Sequence, residues 1–247
     1  MKTSGNTILI TGGGSGIGRE LAQRFHDLGN TVIVAGRTLS SLEDTIAGRA
    51  NMHALPFDVS DAASIEAFAA DAIARFPAIN LLFNNAGMMT SEDLTTAGDT
   101  AVAEQIFTTN VLGPIRLTNA LIDHLSAQPN AAIVNTTSGL AFVPLPKAPS
   151  YSASKAAMHS WTVSLRTQLA GKVEVIELAP PAVRTELTPG QSTRENYMPL
   201  DDYAREVMDL FQQVPTPHEI LVKNVLFLRN AERDGQFDAA LKVLGSL

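Results

Sequence analysis

Apolar residues recur along this chain in two alternating rhythms. Short aliphatic and β-branched runs at 7–10 and 31–35 flank a stretch, 17–28, in which Leu21, Ala22, Phe25 and Leu28 fall on one helical face. The spacing predicts strand, helix, strand. The alternation continues with a helix at 42–47, a strand near 53–57, a helix near 63–76 and a strand at 81–83. A long helix from about 101 to 125, a strand at 131–135, a helix at 151–169 and a strand at 173–178 follow. Strands separated by helix-length segments need right-handed crossovers, which build a parallel sheet covered on both faces. The prediction is a single α/β domain, a doubly wound parallel sheet in three α/β/α layers.

Beyond Leu178 the rhythm loosens. Ala179-Pro180-Pro181 stops the strand, and 188–199 is polar with Pro and Gly. A helix that Asp201 or Asp202 can cap resumes at 201–213. Residues 186–214 are therefore expected to form a substrate loop and helix over the carboxyl edge of the sheet, within one domain spanning 1–247. A strand at 219–222 and a mixed-face helix over 225–244 complete the expectation.

Composition narrows the function classes. The 247 residues carry 18 Lys plus Arg against 25 Asp plus Glu, a formal charge of -7, which disfavours nucleic acid as a partner because phosphate backbones need clustered cations. With no cysteine there is no disulfide framework, thiolate zinc site or thiol nucleophile, and no metal is expected. A reducing, cytoplasmic setting fits. No apolar run approaches membrane-spanning length, so no membrane association is expected.

The first strand leads through Thr11-Gly12-Gly13-Gly14-Ser15-Gly16-Ile17-Gly18 into a helix, where backbone N–H groups can cradle phosphate. The spacing is G-x-x-x-G-x-G rather than G-x-G-x-x-G. At the end of the second strand, Gly36 occupies the position where an acidic residue would grip two ribose hydroxyls, and Arg37 follows. A 2'-phosphate would meet a guanidinium and no carboxylate, which points to NADP(H). The bland alternative is a solvated loop arginine. Asp58 and Val59 follow the third strand, where they can meet an adenine, although Asp58 can equally cap the next helix. Asn84-Asn85-Ala86-Gly87 ends the fourth strand, either as a plain turn or as a place where a cofactor approaches the backbone.

Tyr151 and Lys155, four apart at the start of a strong helix, share one face. One reading is an ammonium that favours a phenolate and brings proton transfer within range; the bland alternative is a surface lysine beside a half-buried tyrosine. Ser138, at the end of the fifth strand, offers a hydroxyl to a substrate oxygen. Asn110 sits mid-helix with Gly113-Pro114 just beyond, so a kink or bulge is expected there; a water held by Asn110 could link Lys155 to solvent, or the Asn is simply a satisfied buried residue of a kinked helix.

Together these positions resemble the short-chain dehydrogenase/reductase family in its single-domain form, over 7 to roughly 185, and within it the DltE-like subgroup. The resemblance implies a Rossmann fold with Tyr151 as proton donor or base, Ser138 orienting the reacting oxygen, Lys155 acting on Tyr151 and the nicotinamide ribose, and Asn110 completing a proton relay. It implies that Pro180, Val183 and Thr185 fix the carboxamide. Helices 101–125 and 151–169 resemble those that pair copies into a homodimer or homotetramer. Two departures stand out: Pro181 replaces the usual Gly, and the chain end lacks a Val-Asp-Gly-Gly-like segment.

On the substrate side, Leu140, Phe142, Val143, Pro144 and Leu145 follow Ser138, and Met88 and Met89 follow the Asn-Asn-Ala-Gly turn. Leu140, Phe142, Val143 and Tyr197 are expected to line a site for a medium-sized ketone or aldehyde, with Met198 a further lid candidate and Lys147, Arg184 and Arg194 the nearby cations. The activity expected is hydride transfer between NADP(H) and a carbonyl or secondary alcohol, as in carbonyl reductases and alcohol dehydrogenases. A redox sensor that binds NADP(H) without chemistry is the alternative. Nucleotide-sugar epimerases and dehydratases share Tyr-x-x-x-Lys but usually carry a longer C-terminal domain than this chain can supply.

Overall fold

Strand-forming residues occupy seven short segments, and a computed structural model describing residues 1–246 assembles them into one sheet. They are β1 (Thr7–Thr11), β2 (Thr31–Gly36), β3 (Met52–Pro56), β4 (Ile79–Asn84), β5 (Ala132–Thr136), β6 (Glu174–Leu178) and β7 (Glu219–Ile220). All pair in parallel in the order β3-β2-β1-β4-β5-β6-β7. The order reverses beside β1, so the carboxyl ends of β1 and β4 open a crevice, the usual ligand position in a doubly wound sheet.

Alternation along β1 divides the core. Ile8 and Ile10 point to a face covered by α1 (Gly16–Asp27), α2 (Leu39–Ile46) and α7 (Leu200–Phe211), where Phe25, Phe83 and Phe211 meet edge to face. Leu9 points to the opposite face, packed by α3 (Ala62–Arg75), α5 (Gly113–Ala127) and the far end of α6 (Pro149–Gln168). A third cluster joins Val143, Leu145, Ala148 and Tyr151 to α9 (Phe237–Gly245). The predicted three-layer single domain is the observed one. Among the described residues no helix is long and apolar enough to cross a membrane.

Four local features differ from or sharpen the sequence expectation. The long helix at 101–125 is broken into α4 (Ala101–Phe107), a π-helical turn (Thr108–Leu112) and α5, so the expected irregularity falls around Asn110. Gly113 explains the close fit there, because a Cβ would stand 2.5 Å from the Val59 carbonyl oxygen. Asp61, not Asp58, caps α3 by accepting from the Ala63 N–H. Neither Asp201 nor Asp202 caps α7, whose N-cap is Pro199; both lie inside its first turn, where they pair with Arg205.

The segment at 186–214 is only partly an insertion. Its loop ends at Pro199, and α7 then buries Tyr203, Val207 and Phe211 in the main core beside α1. The helix expected over 225–244 is two: α8 (Leu226–Arg229) and α9, separated by turns that include Gly235 at φ +67°.

Candidate active site

The glycine loop closes because its residues lack side chains where the chain folds back on itself. A Cβ on Gly18 would lie 2.3 Å from the Gly12 carbonyl oxygen, and one on Gly12, at φ +67°, would lie 2.9 Å from Ala86 Cα. Asn85 braces the same junction by donating to the Thr11 carbonyl at 3.1 Å, and the Thr11 hydroxyl accepts from the Asn85 and Ala86 N–H groups. Asn84 ties β4 to β5 and α5 through Asn135 and Thr118. Ser15, the N-cap of α1, makes no side-chain cap hydrogen bond, and the first turn holds no acidic residue. The free amides of that turn face a cavity and suit an anion.

This cavity, of about 460 Å³, runs from one side of the crevice to the other. At one end stand Gly36 and Arg37, with Asp58 and Val59 alongside; the glycine loop with Ser15 and Ile17 forms the floor, beside Asn85, Ala86 and Gly87. At the other end are Ser138, Tyr151, Lys155, Pro180, Val183 and Thr185. Every residue expected to hold the cofactor therefore lies on one continuous surface. Thr185 also closes on the loop, since a Cβ on Gly16 would touch it at 3.4 Å. Burial disfavours the Asp58 anion, but hydrogen bonds from the Ser60 side chain and backbone, helped by the Arg37 charge, hold its carboxyl below the ordinary value.

β5 delivers Ser138 and α6 delivers Tyr151 and Lys155. The Ser138 hydroxyl accepts from the Leu140 N–H at 3.1 Å and is hydrogen-bonded to the Tyr151 phenol. Burial pushes that phenol up to about 12, against the lowering effect of the Ser138 bond. Lys155, which is expected to act on this phenol, sits one turn away on α6. The ammonium lies 5.7 Å from the ring centre and donates to the Thr136 carbonyl at 2.9 Å, while burial brings its own value down to about 8.

Asn110 stands inside the π-helical turn, which aims its side chain across the site. Its Oδ1 accepts from the Met88 N–H, and its Nδ2 donates to the Met88 carbonyl and the Ser154 hydroxyl. A Cβ on Gly87 would lie 3.4 Å from Asn110 Oδ1 and 3.5 Å from Lys155 Nζ, so the three groups converge on one spot. The Thr136 hydroxyl, buried on the same wall, has no hydrogen-bond partner among the described residues.

The residues expected on the substrate side fall largely outside this cavity. Leu140, Phe142, Val143 and Tyr197 do not line the cavity. A 3-10 turn at Gly139–Ala141 swings the chain away after Ser138, leaving Val143 fully buried against α9 and Leu140 packed on the same cluster. Phe142 instead lies between His159, edge-on at 5.0 Å, and the Arg229 guanidinium at 4.8 Å. The Tyr197 hydroxyl accepts from Arg194 at the surface. The anticipated cation Arg184 is also committed elsewhere, donating to the carbonyls of Arg194, Glu195 and Tyr197. Met88 and Met89 do line the cavity, joined by Thr109, Pro181, Leu187 and Gln191. Pro181 marks itself in the sequence only as a departure from the usual Gly, and Leu187 and Gln191 carry no pattern that marks them.

Comparison with known proteins agrees with this geometry. The family model described as short chain dehydrogenase matches residues 6–196. The uncharacterized oxidoreductase DltE of Bacillus subtilis (strain 168) is 38% identical over 244 residues, covering 94% of each chain. A sulfoacetaldehyde reductase of Chromohalobacter salexigens is 34% identical over 186 residues, 73% of this chain and 74% of that one. A short chain dehydrogenase from Burkholderia cenocepacia J2315 in complex with NADP superposes with a TM-score of 0.82 at 25% identity, covering 98% of this chain and 99% of that one. A 3-ketoacyl-(acyl-carrier-protein) reductase from Brucella melitensis complexed with NADH gives 0.78 at 27%, covering 88% and 96%.

Proposed function

The chain belongs to the short-chain dehydrogenase family of oxidoreductases, and from that premise we propose that it moves a hydride between NADP(H) and a carbonyl or secondary alcohol, chiefly reducing medium-sized ketones or aldehydes. What carries this reading is one cavity that joins Arg37, with no carboxylate at the neighbouring Gly36, to Ser138, Tyr151 and Lys155. The Gly12–Gly18 loop and the uncapped first turn of α1 hold the pyrophosphate, Arg37 meets the 2'-phosphate, and Asp58 and Val59 border the adenine. Lys155 reaches the nicotinamide ribose, and Pro180, Val183 and Thr185 hold the carboxamide. The nicotinamide, when bound, supplies or accepts the hydride.

The protein's own residues handle the oxygen. Ser138 donates to the carbonyl oxygen and orients it, and Tyr151 transfers its phenolic proton as the alcohol forms. In oxidation the phenolate takes that proton back. Lys155 keeps positive charge beside the phenolate, and Asn110, fixed by Met88 and Ser154, holds the water through which the site regains its proton.

The lining suits an uncharged carbonyl. Sulfoacetaldehyde, named for the Chromohalobacter relatives, carries a sulfonate. The substrate end here presents Met88, Met89, Pro181 and Leu187 together with the Glu186 carboxylate, which a hydrogen bond from Ser192 holds below its ordinary value. Copies pair through α4, α5 and α6, where Val102, Phe107 and Val163 are exposed. A cytoplasmic setting is consistent with the cysteine-free composition.

The test is oxidation of NADPH and of NADH by a panel of aryl and alkyl ketones and aldehydes, followed by loss of the reduced-nicotinamide absorbance. Turnover with NADPH should fall about 10²–10⁴-fold in Tyr151→Phe, the range a positioned proton donor contributes. Tight nucleotide binding with no turnover on any carbonyl would instead identify a nucleotide-binding sensor.

A further inference from the structure

Glu177 is an acidic residue among Val175, Ile176 and Leu178, one position from the end of β6, and none of it is exposed. A carboxylate in such a place is costly unless its oxygens are engaged. Both are. Oε1 accepts from the Thr137 hydroxyl at 2.6 Å, and Oε2 pairs with His159 Nδ1 at 2.8 Å. These partners come from different elements. Thr137 immediately precedes Ser138 after β5, whereas His159 lies on α6 in the same stripe as Tyr151 and Lys155, eight and four residues further along respectively.

We propose that Glu177 is a positioning residue whose two-armed contact, to Thr137 and to His159, holds Ser138 in register with Tyr151 for the hydride-transfer reaction. This rests on the proton-transfer reading of Ser138 and Tyr151 given above. Backbone bonds reinforce the strand arm: the Thr137 N–H donates to the Leu178 carbonyl at 2.8 Å and the Gly139 N–H to the Pro180 carbonyl at 2.9 Å. Glu177 thereby links three pieces of the site, namely the Ser138 turn, the α6 stripe and the segment that runs into Pro180.

The surroundings show the charges to be matched locally. His159 faces Glu177 from β6, Glu219 from β7, Arg229 from α8 and the ring of Phe142. Arg229 binds Glu219 through two hydrogen bonds of 2.9 Å and stacks on Phe142. His159, Glu177 and Glu219 lie close enough to suggest a metal ligand set, but each already has a protein partner. The hydrogen bond from His159 to Glu177, against some burial and with the Glu219 charge assisting, raises the imidazole above its ordinary value.

Glu177→Met keeps the buried length and replaces the charge with an apolar side chain, leaving His159 to water. Thr137→Val cuts the strand arm alone, and Thr137→Ser keeps the hydroxyl. The expected result in Glu177→Met is a fall in kcat of about tenfold to a hundredfold, as for a small misplacement of reacting groups, with NADPH affinity unchanged. Thr137→Val should share part of that loss, and Thr137→Ser should not. Imidazole NMR titration, with His159→Asn to assign the signal, should show the His159 pKa falling in Glu177→Met. Amide hydrogen exchange at Gly139 and Leu140 should accelerate in the same variant, a readout that needs no substrate. If the wild-type protein reduces carbonyls and both Glu177→Met and Thr137→Val keep its kcat and exchange rates, the positioning role is overturned. If the wild type reduces none, the hydride-transfer reading fails separately, and unchanged Gly139 and Leu140 exchange then removes the strut as well.

Discussion

The Lys155 ammonium donates to the Thr136 carbonyl at 2.9 Å while standing 5.7 Å from the centre of the Tyr151 ring one turn away. Both side chains are buried, and burial moves them in opposite directions: the phenol to about 12 and the ammonium to about 8. A buried lysine with an uncharged partner lowers the stability of the fold that contains it.

That cost is measurable through its pH dependence. Folding lowers the Lys155 pKa from 10.5 to about 8, so between those values the unfolded chain binds more protons and stability rises with pH. Below pH 8 the full penalty, about 3 kcal/mol at 1.4 kcal/mol per pKa unit, is in force. Lys155→Met removes this penalty, and loses the bond to Thr136 at every pH. The stability of the variant relative to wild type, from urea midpoints, should therefore be highest near pH 7 and decline by about 3 kcal/mol by pH 10.5. Turnover should be lost throughout. A difference independent of pH would mean that folding leaves the Lys155 pKa unshifted, so that its burial carries no such cost.

Arg37 gives a prediction about nucleotide choice. It lies at the cavity end where Gly36 replaces an acid, and its charge is felt at Asp58. Replacing it with Leu should weaken NADPH binding about tenfold to a hundredfold, the range of a charge-assisted hydrogen bond, and leave NADH binding nearly unchanged. Added salt should narrow the NADPH preference of the wild type, because the contact is solvent-exposed. Equal losses for both nucleotides would remove Arg37 as the phosphate reader.

The contrast between what was and was not legible in the sequence has physical reasons. Strand and helix periods in the first 180 residues reflect burial on one face or two, and the sheet order follows from the crossovers they require. The π-helical turn was foreshadowed by Asn110, Gly113 and Pro114, three poor helix residues in five. The placement of Phe142 and Val143 was not legible, because proximity to Ser138 in sequence says nothing of the side to which a 3-10 turn sends them. Glu177 did leave a signal, a charged residue in a strand with neighbours buried on both faces. Its partners, Thr137 and His159, are 40 and 18 residues away and meet only in the folded sheet.

The glycine loop supplies a steric test that separates a fitted cradle from an ordinary turn. Alanine at Gly18 would place its Cβ 2.3 Å from the Gly12 carbonyl oxygen and 2.5 Å from Asn85 Nδ2. The first contact is with backbone, so relief requires the loop to move away from α1, disturbing the amides that face the cavity. Gly5 provides the control: it also has positive φ, at +71°, but a Cβ there would meet nothing within 4 Å. Gly5→Ala should cost about 1 kcal/mol of backbone strain and leave nucleotide affinity unchanged. Gly18→Ala should cost about 2–3 kcal/mol, as overpacking does, and weaken NADPH and NADH alike, since the pyrophosphate is common to both. Urea midpoints and fluorescence titration with each nucleotide measure the two effects. Wild-type affinity in Gly18→Ala would show that the loop does not hold the phosphates.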